Sequence, residues 1–120
     1  MGDIKEIEKS LKRFAEERDW DKYLNPKDVL VAMMSEVGEL AECYRWLSTE
    51  EIQKINGDPQ KRNKIEDEIA DIMMFLITIA YKSNIDIEEA IRNKMEKNAM
   101  KYPIEKIKGK HTNPIEGIKN

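Results

Sequence analysis

The sequence has a single cysteine, Cys43, and a single histidine, His111, so it can form no internal disulfide and no Cys/His zinc cluster. Five glycines and four prolines are all it contains, and they fall at the borders of periodic segments, which favours helices throughout. Neither sign of charge dominates: 21 basic side chains stand against 24 acidic ones. Such a balance provides no global field for nucleic acid or for an anionic membrane. Long apolar runs are missing too. The uncharged stretch Ile72 to Tyr81 has ten residues, about half of what a spanning helix needs. From Asp3 onward the N-terminus alternates charge, unlike an export signal. The expectation is a soluble, cytoplasmic protein with no nucleic-acid or membrane partner.

What remains is 120 residues, 40% apolar and 38% charged. That is too apolar for a disordered chain and long enough for one domain with a modest core. A first helix is expected from Ile4 to about Arg18, with Ile4, Ile7, Leu11 and Phe14 on one side. Asn25-Pro26 starts a second, with Asn as cap, Pro in the first position and Asp28 in the first turn, running to about Leu47. Ser48 to Glu51 can cap a short segment that Gly57-Asp58-Pro59 breaks. A third long helix is expected from about Gln60 to Lys82. Asp86 with Glu89 opens a fourth that ends near Tyr102, before Pro103. The fold class is therefore all-α: a four-helix bundle over residues 1–102 and an irregular basic tail over 103–120. From Lys101 on, five lysines oppose two glutamates.

The placement of the acids carries the chemistry. At about 100° per residue, Leu30, Met33, Val37, Leu40 and Tyr44 form the main apolar stripe of the second helix. Val29, Ala32, Cys43 and Leu47 form another beside it; Glu36 falls inside that one and Glu39 at its edge. On the third long helix Ile65, Ile69, Ile72, Leu76 and Ile79 are the expected buried face. Glu68 projects within its apolar arc, and Asp71 lies next to Phe75 and Thr78. Each helix thus has an acidic pair at i, i+3 where hydrophobes are expected. Two carboxylates about 4 Å apart repel by about 4 kcal/mol at an effective dielectric of 20, so something positive belongs among them. Neither stripe contains a lysine or arginine, and a basic partner would have to come from elsewhere. A hard divalent cation answers the need directly. Oxygen-only ligation suits Mg²⁺, or Mn²⁺, and such ions recruit substrate phosphates. The di-iron bundles need Glu-x-x-His pairs, which a sequence with only His111 cannot supply.

Ser-Glu-Val-Gly-Glu-Leu-Ala-Glu at 35–42 followed by Glu-Ile-Ala-Asp at 68–71 resembles the Glu-x-x-Glu … Glu-x-x-Asp signature of MazG-like, all-α nucleoside triphosphate pyrophosphohydrolases. The 28 residues between Glu39 and Glu68 put the gap at the long end for that family. Phe14-Ala-Glu-Glu-Arg-Asp-Trp20, Tyr44-Arg-Trp46, Lys94-Met, Asn98 and Lys101-Tyr-Pro103 resemble its dCTP pyrophosphatase branch. The resemblance implies hydrolysis of a nucleoside triphosphate to the monophosphate and pyrophosphate, using Mg²⁺ held by Glu36, Glu39, Glu68 and Asp71. Glu36 or Glu39 would take the proton of the attacking water. Lys94 and Tyr102 match positions near the phosphates, with Arg18 a weaker candidate and Lys108 and Lys110 a possible arm over them. Trp20, Trp46 and Asn98 match positions near the base, where flat rings stack and an amide reads an edge. Phe14 and Tyr23 are expected in the core, with the wall of that same base pocket as the alternative.

Three departures qualify the resemblance. Leu24 and Phe75 stand where the animal enzymes of the branch carry His and Tyr, and Asp28 replaces an Asn. They leave the base preference open and do not touch the metal chemistry. Met33, Met34, Met73 and Met74 lie on both sides of their helices, more than a monomeric core requires. With the family's habit of assembly, this points to a homotetramer, or else a homodimer. The expected activity is house-cleaning of dCTP or modified deoxynucleotides. A broad-specificity MazG-type hydrolase and a helical interaction module holding a structural cation are the alternatives.

Overall fold

A computed structural model describes residues 3–109; Lys110, His111 and the rest of the tail lie outside the described residues. Those residues are helical wherever they are regular: α1 (Ile4–Glu17), α2 (Pro26–Tyr44), α3 (Thr49–Gln53), α4 (Pro59–Lys82), α5 (Ile87–Lys101) and α6 (Ile104–Ile107). Short 3-10 turns at Asp21–Tyr23 and Ile55–Gly57 join the first four. The chain divides between Ile85 and Asp86 into two compact units. Among the described residues no helix is long and apolar enough to cross a membrane.

Local chemistry sets the helix borders. The carboxyl or amide oxygens of Asp3, Asn25, Asp58 and Asp86 accept from the backbone N–H three residues on, each satisfying one otherwise unpaired donor. Pro26 and Pro59 occupy first-turn positions that need no N–H. Ser48 and Glu51 make a reciprocal capping box for α3. That box explains why α2 stops at Tyr44, three residues short of the expected Leu47. Ser48 must be extended to cap α3, so the chain turns at Arg45 and Trp46, with Leu47 N–H donating to the Tyr44 carbonyl. Residues 104–107 form one helical turn within the segment expected to be irregular.

The ends of α1 and α4 carried no glycine signal. Asp19 and Asn84 adopt left-handed backbone, each with φ of 56°. Each lets the next residue's N–H reach back, Trp20 to the Ala15 carbonyl and Ile85 to the Ala80 carbonyl, at 2.8 Å in both cases. These are Schellman closures built on Asp and Asn, the residues that tolerate this conformation best after glycine.

In the first unit α2 packs along α4, and α1 packs on α4 as well. The core is small: Ala15, Val29, Ile55, Ile65, Ile77 and Ala80. The inward face of α2 takes members of both apolar stripes. Val29, Met33, Glu36, Leu40 and Cys43 are buried or half-buried, while Leu30 and Val37 of the main stripe remain 47% and 44% exposed. On α4 the inward arc carries Ile65 and Glu68, and Ile69 and Leu76 of the expected buried face are exposed. The reason is geometric. Each helix has an apolar arc wider than one neighbour can cover, and α2 and α4 meet through the edges that bear the acids.

Candidate metal centre

Glu36 comes from the middle of α2, on the same edge as Val29, Leu40 and Cys43. Glu39 follows one turn on and is exposed. Glu68 faces them from α4, one turn after Ile65, and is only 5% exposed. One carboxylate oxygen from each of the three lies within 4.8 Å of the others. Asp71 is not one of the three. It is half-buried one turn further along α4, close enough to add to the negative field at Glu36.

So much negative charge in a partly desolvated seam perturbs its members. Glu36 has its pKa raised from 4.5 to about 7, first by sharing a hydrogen bond with Glu68, then by burial and by the charges of Glu68, Glu39 and Asp71. The same shared contact holds Glu68 below its ordinary range, and the hydrogen bond from Lys64 adds to that. Glu68 Oε1 accepts from Lys64 Nζ at 3.3 Å. Its Oε2 is fully buried and has no donor among the described residues. A buried carboxylate oxygen without a partner is costly. Three converging oxygen donors, no imidazole or thiolate among them and one orphaned, match the needs of a hard divalent cation.

Lys64 is the basic partner expected from outside the two apolar stripes. It sits one turn before Glu68 on α4, at the i, i+4 spacing that brings side chains together. The sequence contained that signal. It was hidden because Lys64 lies outside the apolar stripe, and a long side chain can reach back into it.

Two cavities flank the acids. A polar one of about 460 Å³ is lined by Glu39, Glu42, Cys43, Lys61 and Lys64, among others. The other, about 820 Å³, is mostly apolar: Phe14, Trp20, Leu24 and Phe75 contribute its walls, and Asp71 and Thr78 line it too. Trp20 is positioned from three sides. The Schellman closure of α1 directs it, Phe14 meets it edge-on with ring centres 6.0 Å apart, and Lys82 anchors the turn that follows. That lysine pairs with Asp21 Oδ1 at 2.9 Å and donates to the Asp21 carbonyl.

The other expected site residues are placed as follows. Phe14 is on the cavity wall, half-exposed, and Tyr23 is exposed; neither belongs to the core, because the turn at Asp21–Tyr23 caps the end of α4 without covering it. Trp46 is 75% exposed, stacked by the Arg45 guanidinium, and lines neither cavity. Arg18 lies over the Phe14 ring and donates to the Phe14 carbonyl. Lys94 and Asn98 lie four residues apart on α5, and Tyr102 is its C-cap, all in the second unit. Nothing in the sequence singles out Tyr81, which lines the apolar cavity and whose buried hydroxyl has no hydrogen-bond partner among the described residues.

The chain is similar to known proteins. The MazG-like family profile matches residues 31–113, which include all four acids. The chain is 32% identical over 106 residues to a protein named dCTP pyrophosphatase 1 from Mus musculus and 33% identical to its Bos taurus counterpart. Those alignments cover 88% of this chain, which spans only 62–63% of the length of these curated relatives. The crystal structure of a pyrophosphatase from Archaeoglobus fulgidus superposes with a TM-score of 0.77 at 34% identity, covering 86% of this chain and 94% of that one. Signature, fold and inward-facing glutamates agree: the chain belongs to the MazG-like family and has its all-α, multi-helix architecture.

Proposed function

We propose that this protein is a Mg²⁺-dependent nucleoside triphosphate pyrophosphohydrolase, converting a triphosphate and water to the monophosphate and pyrophosphate. Its substrate in this reading is dCTP or a modified deoxynucleotide, removed from the cytoplasmic nucleotide pool. The observation that carries the reading is the convergence of Glu36, Glu39 and Glu68 around an unpartnered buried oxygen. The names of the relatives support it.

In this mechanism Glu36, Glu39, Glu68 and Asp71 would hold Mg²⁺, with Mn²⁺ as a substitute. When bound, the ion offsets charge on the phosphates, acidifies water and orients the leaving pyrophosphate. Glu36 or Glu39 takes the proton of the water that attacks the α-phosphorus. A carboxylate that holds its proton to about pH 7 in the metal-free chain is matched to that task near neutrality. Lys94 offsets charge on the phosphates, the Tyr102 hydroxyl donates a hydrogen bond to them, and Trp20, Trp46 and Asn98 bind the base. Leu30, Val37, Ile69 and Leu76 form the face on which further copies dock, as a homotetramer in preference to a homodimer.

Broad base tolerance is the second reading, and a specific feature favours it. Leu24 and Phe75, which replace a His and a Tyr of the animal branch, both line the apolar cavity beside Trp20. At these two positions the wall offers a base edge no hydrogen bond, and apolar contact alone discriminates poorly between bases. The test is hydrolysis of all eight canonical nucleotides and 5-substituted dCTPs with Mg²⁺, separating pyrophosphate from phosphate release. Pyrophosphate with a preference for cytosine supports the first reading, and a flat profile the second. Stepwise loss of single phosphates contradicts the assigned attack site. A chain that binds the cation but hydrolyses no nucleotide is instead a helical module around a structural ion.

A further inference from the structure

We propose that Lys64 is a built-in counter-ion that occupies the acid cluster in the metal-free protein and must be displaced for a divalent cation to bind. This rests on the reading of Glu36, Glu39 and Glu68 as cation ligands. The geometry is asymmetric. Glu68 is almost fully buried, whereas the Lys64 side chain is 59% exposed and reaches it at 3.3 Å from one turn away. Among the described residues this is the ion pair that the three-glutamate cluster makes. The carboxylate is therefore fixed by packing, and the ammonium is the partner free to leave.

A site of three acids within 4.8 Å must be neutralised in some way when no cation is present. Lys64 supplies one positive charge from a side chain with open space on its far side, the polar cavity that Lys61, Cys43, Glu39 and Glu42 also line. Glu68, whose Oε1 it occupies, belongs to the ligand set. Lysine has three donors, no acceptor and no capacity to share a lone pair with a metal, so the two cations compete for the same carboxylate. Once released, the ammonium stays tethered at the rim of the site, in the polar cavity. Lys64 thus neutralises a carboxylate that packing already holds in place, and a divalent cation must outcompete it.

The test is Mn²⁺ binding at pH 8 to the full chain, read by electron paramagnetic resonance without nucleotide, alongside thermal unfolding of the metal-free protein. Lys64→Met removes the competitor, and Mn²⁺ affinity is expected to rise about tenfold, as for one charge acting on a dication at short range. Metal-free unfolding should move to lower temperature in the same variant. Lys64→Arg keeps the charge and should hold affinity near wild type. Lys61→Met removes a charge from the same cavity, where it makes no ion pair with the cluster, and should change affinity less than twofold. Unchanged or weaker Mn²⁺ binding by Lys64→Met, or an equal gain in Lys61→Met, overturns the counter-ion role while leaving the cation site intact. Failure of the wild-type chain to bind Mn²⁺ overturns both.

Discussion

The α2–α4 pair presents two surfaces whose composition is the reverse of what burial would favour. Between the helices lie Glu36 and Glu68, the latter among the most buried side chains of the molecule. On the outside lie Leu30, Met34 and Val37 of α2 and Ile69, Met73 and Leu76 of α4, all exposed in the single chain. Exchanging the two by rotating each helix would bury more apolar surface and hydrate the acids, at about 25 cal/mol per Å² gained. The chain does not adopt that arrangement. Val29, Ile65, Leu40 and Leu47 fix the acidic edges inward, so an arrangement unfavourable for the isolated chain is held by the residues around it. Such inversions mark sites where function rather than stability sets the residue type.

The largest effect should come from the inner surface. Glu68→Gln and Asp71→Asn are each expected to lower kcat more than about 100-fold with native helical circular dichroism, in a nucleotide assay. Were the acids there for structure, these variants would unfold instead. Next is the outer surface. If the proposed homotetramer forms through this face, Val37→Glu combined with Ile69→Glu should reduce it to smaller species in light scattering, because two charges then face an apolar contact. An unchanged mass would return this face to solvent.

The pH response sharpens the contrast further. In the folded chain Glu36 keeps its proton to about pH 7, against 4.5 for an ordinary glutamate. Between those values the folded state binds more protons than the unfolded one. Its contribution to stability is therefore complete below pH 4.5 and is lost as the pH rises through about 7. Glu68, held below its ordinary value, is already ionised across that window and adds no slope there. The metal-free protein should accordingly melt at lower temperature at pH 8 than at pH 5. Stabilisation by Mg²⁺ should be greater at pH 8, where no proton must be displaced. The smallest expected effect is thermal: Glu68→Met should raise the metal-free melting temperature by a few degrees, since a buried charge is replaced by an apolar chain of similar volume. A lower melting temperature would mean that the Lys64–Glu68 pair stabilises the chain more than burial of the carboxylate costs it.

Much of this was legible in the chain itself. Caps at Asn25, Ser48 and Asp86 and prolines at 26, 59 and 103 gave the helices, because these signals act within four residues. The convergence of Glu36, Glu39 and Glu68 was legible as well, since an acid inside an apolar arc is an anomaly on a helical wheel. The Schellman closures were not: Asp19 and Asn84 look like ordinary polar residues until the chain turns left-handed at them. For Phe14 the sequence leaves core and pocket wall open, because an apolar residue at helical spacing gives no sign of whether its neighbour is packed protein or an open cavity.

Local periodicity and capping determined that the chain would be helical, where each helix would begin, and which acids would share a face; these depend on neighbours three or four residues away. Which of two adjacent apolar arcs would be buried was decided only by packing. A helix offers a continuous range of contact angles, and the choice is settled by the shape of the partner it meets. That choice put Glu68 inside, left Leu30 and Ile69 outside, and brought Lys64 to the one carboxylate that packing had already fixed.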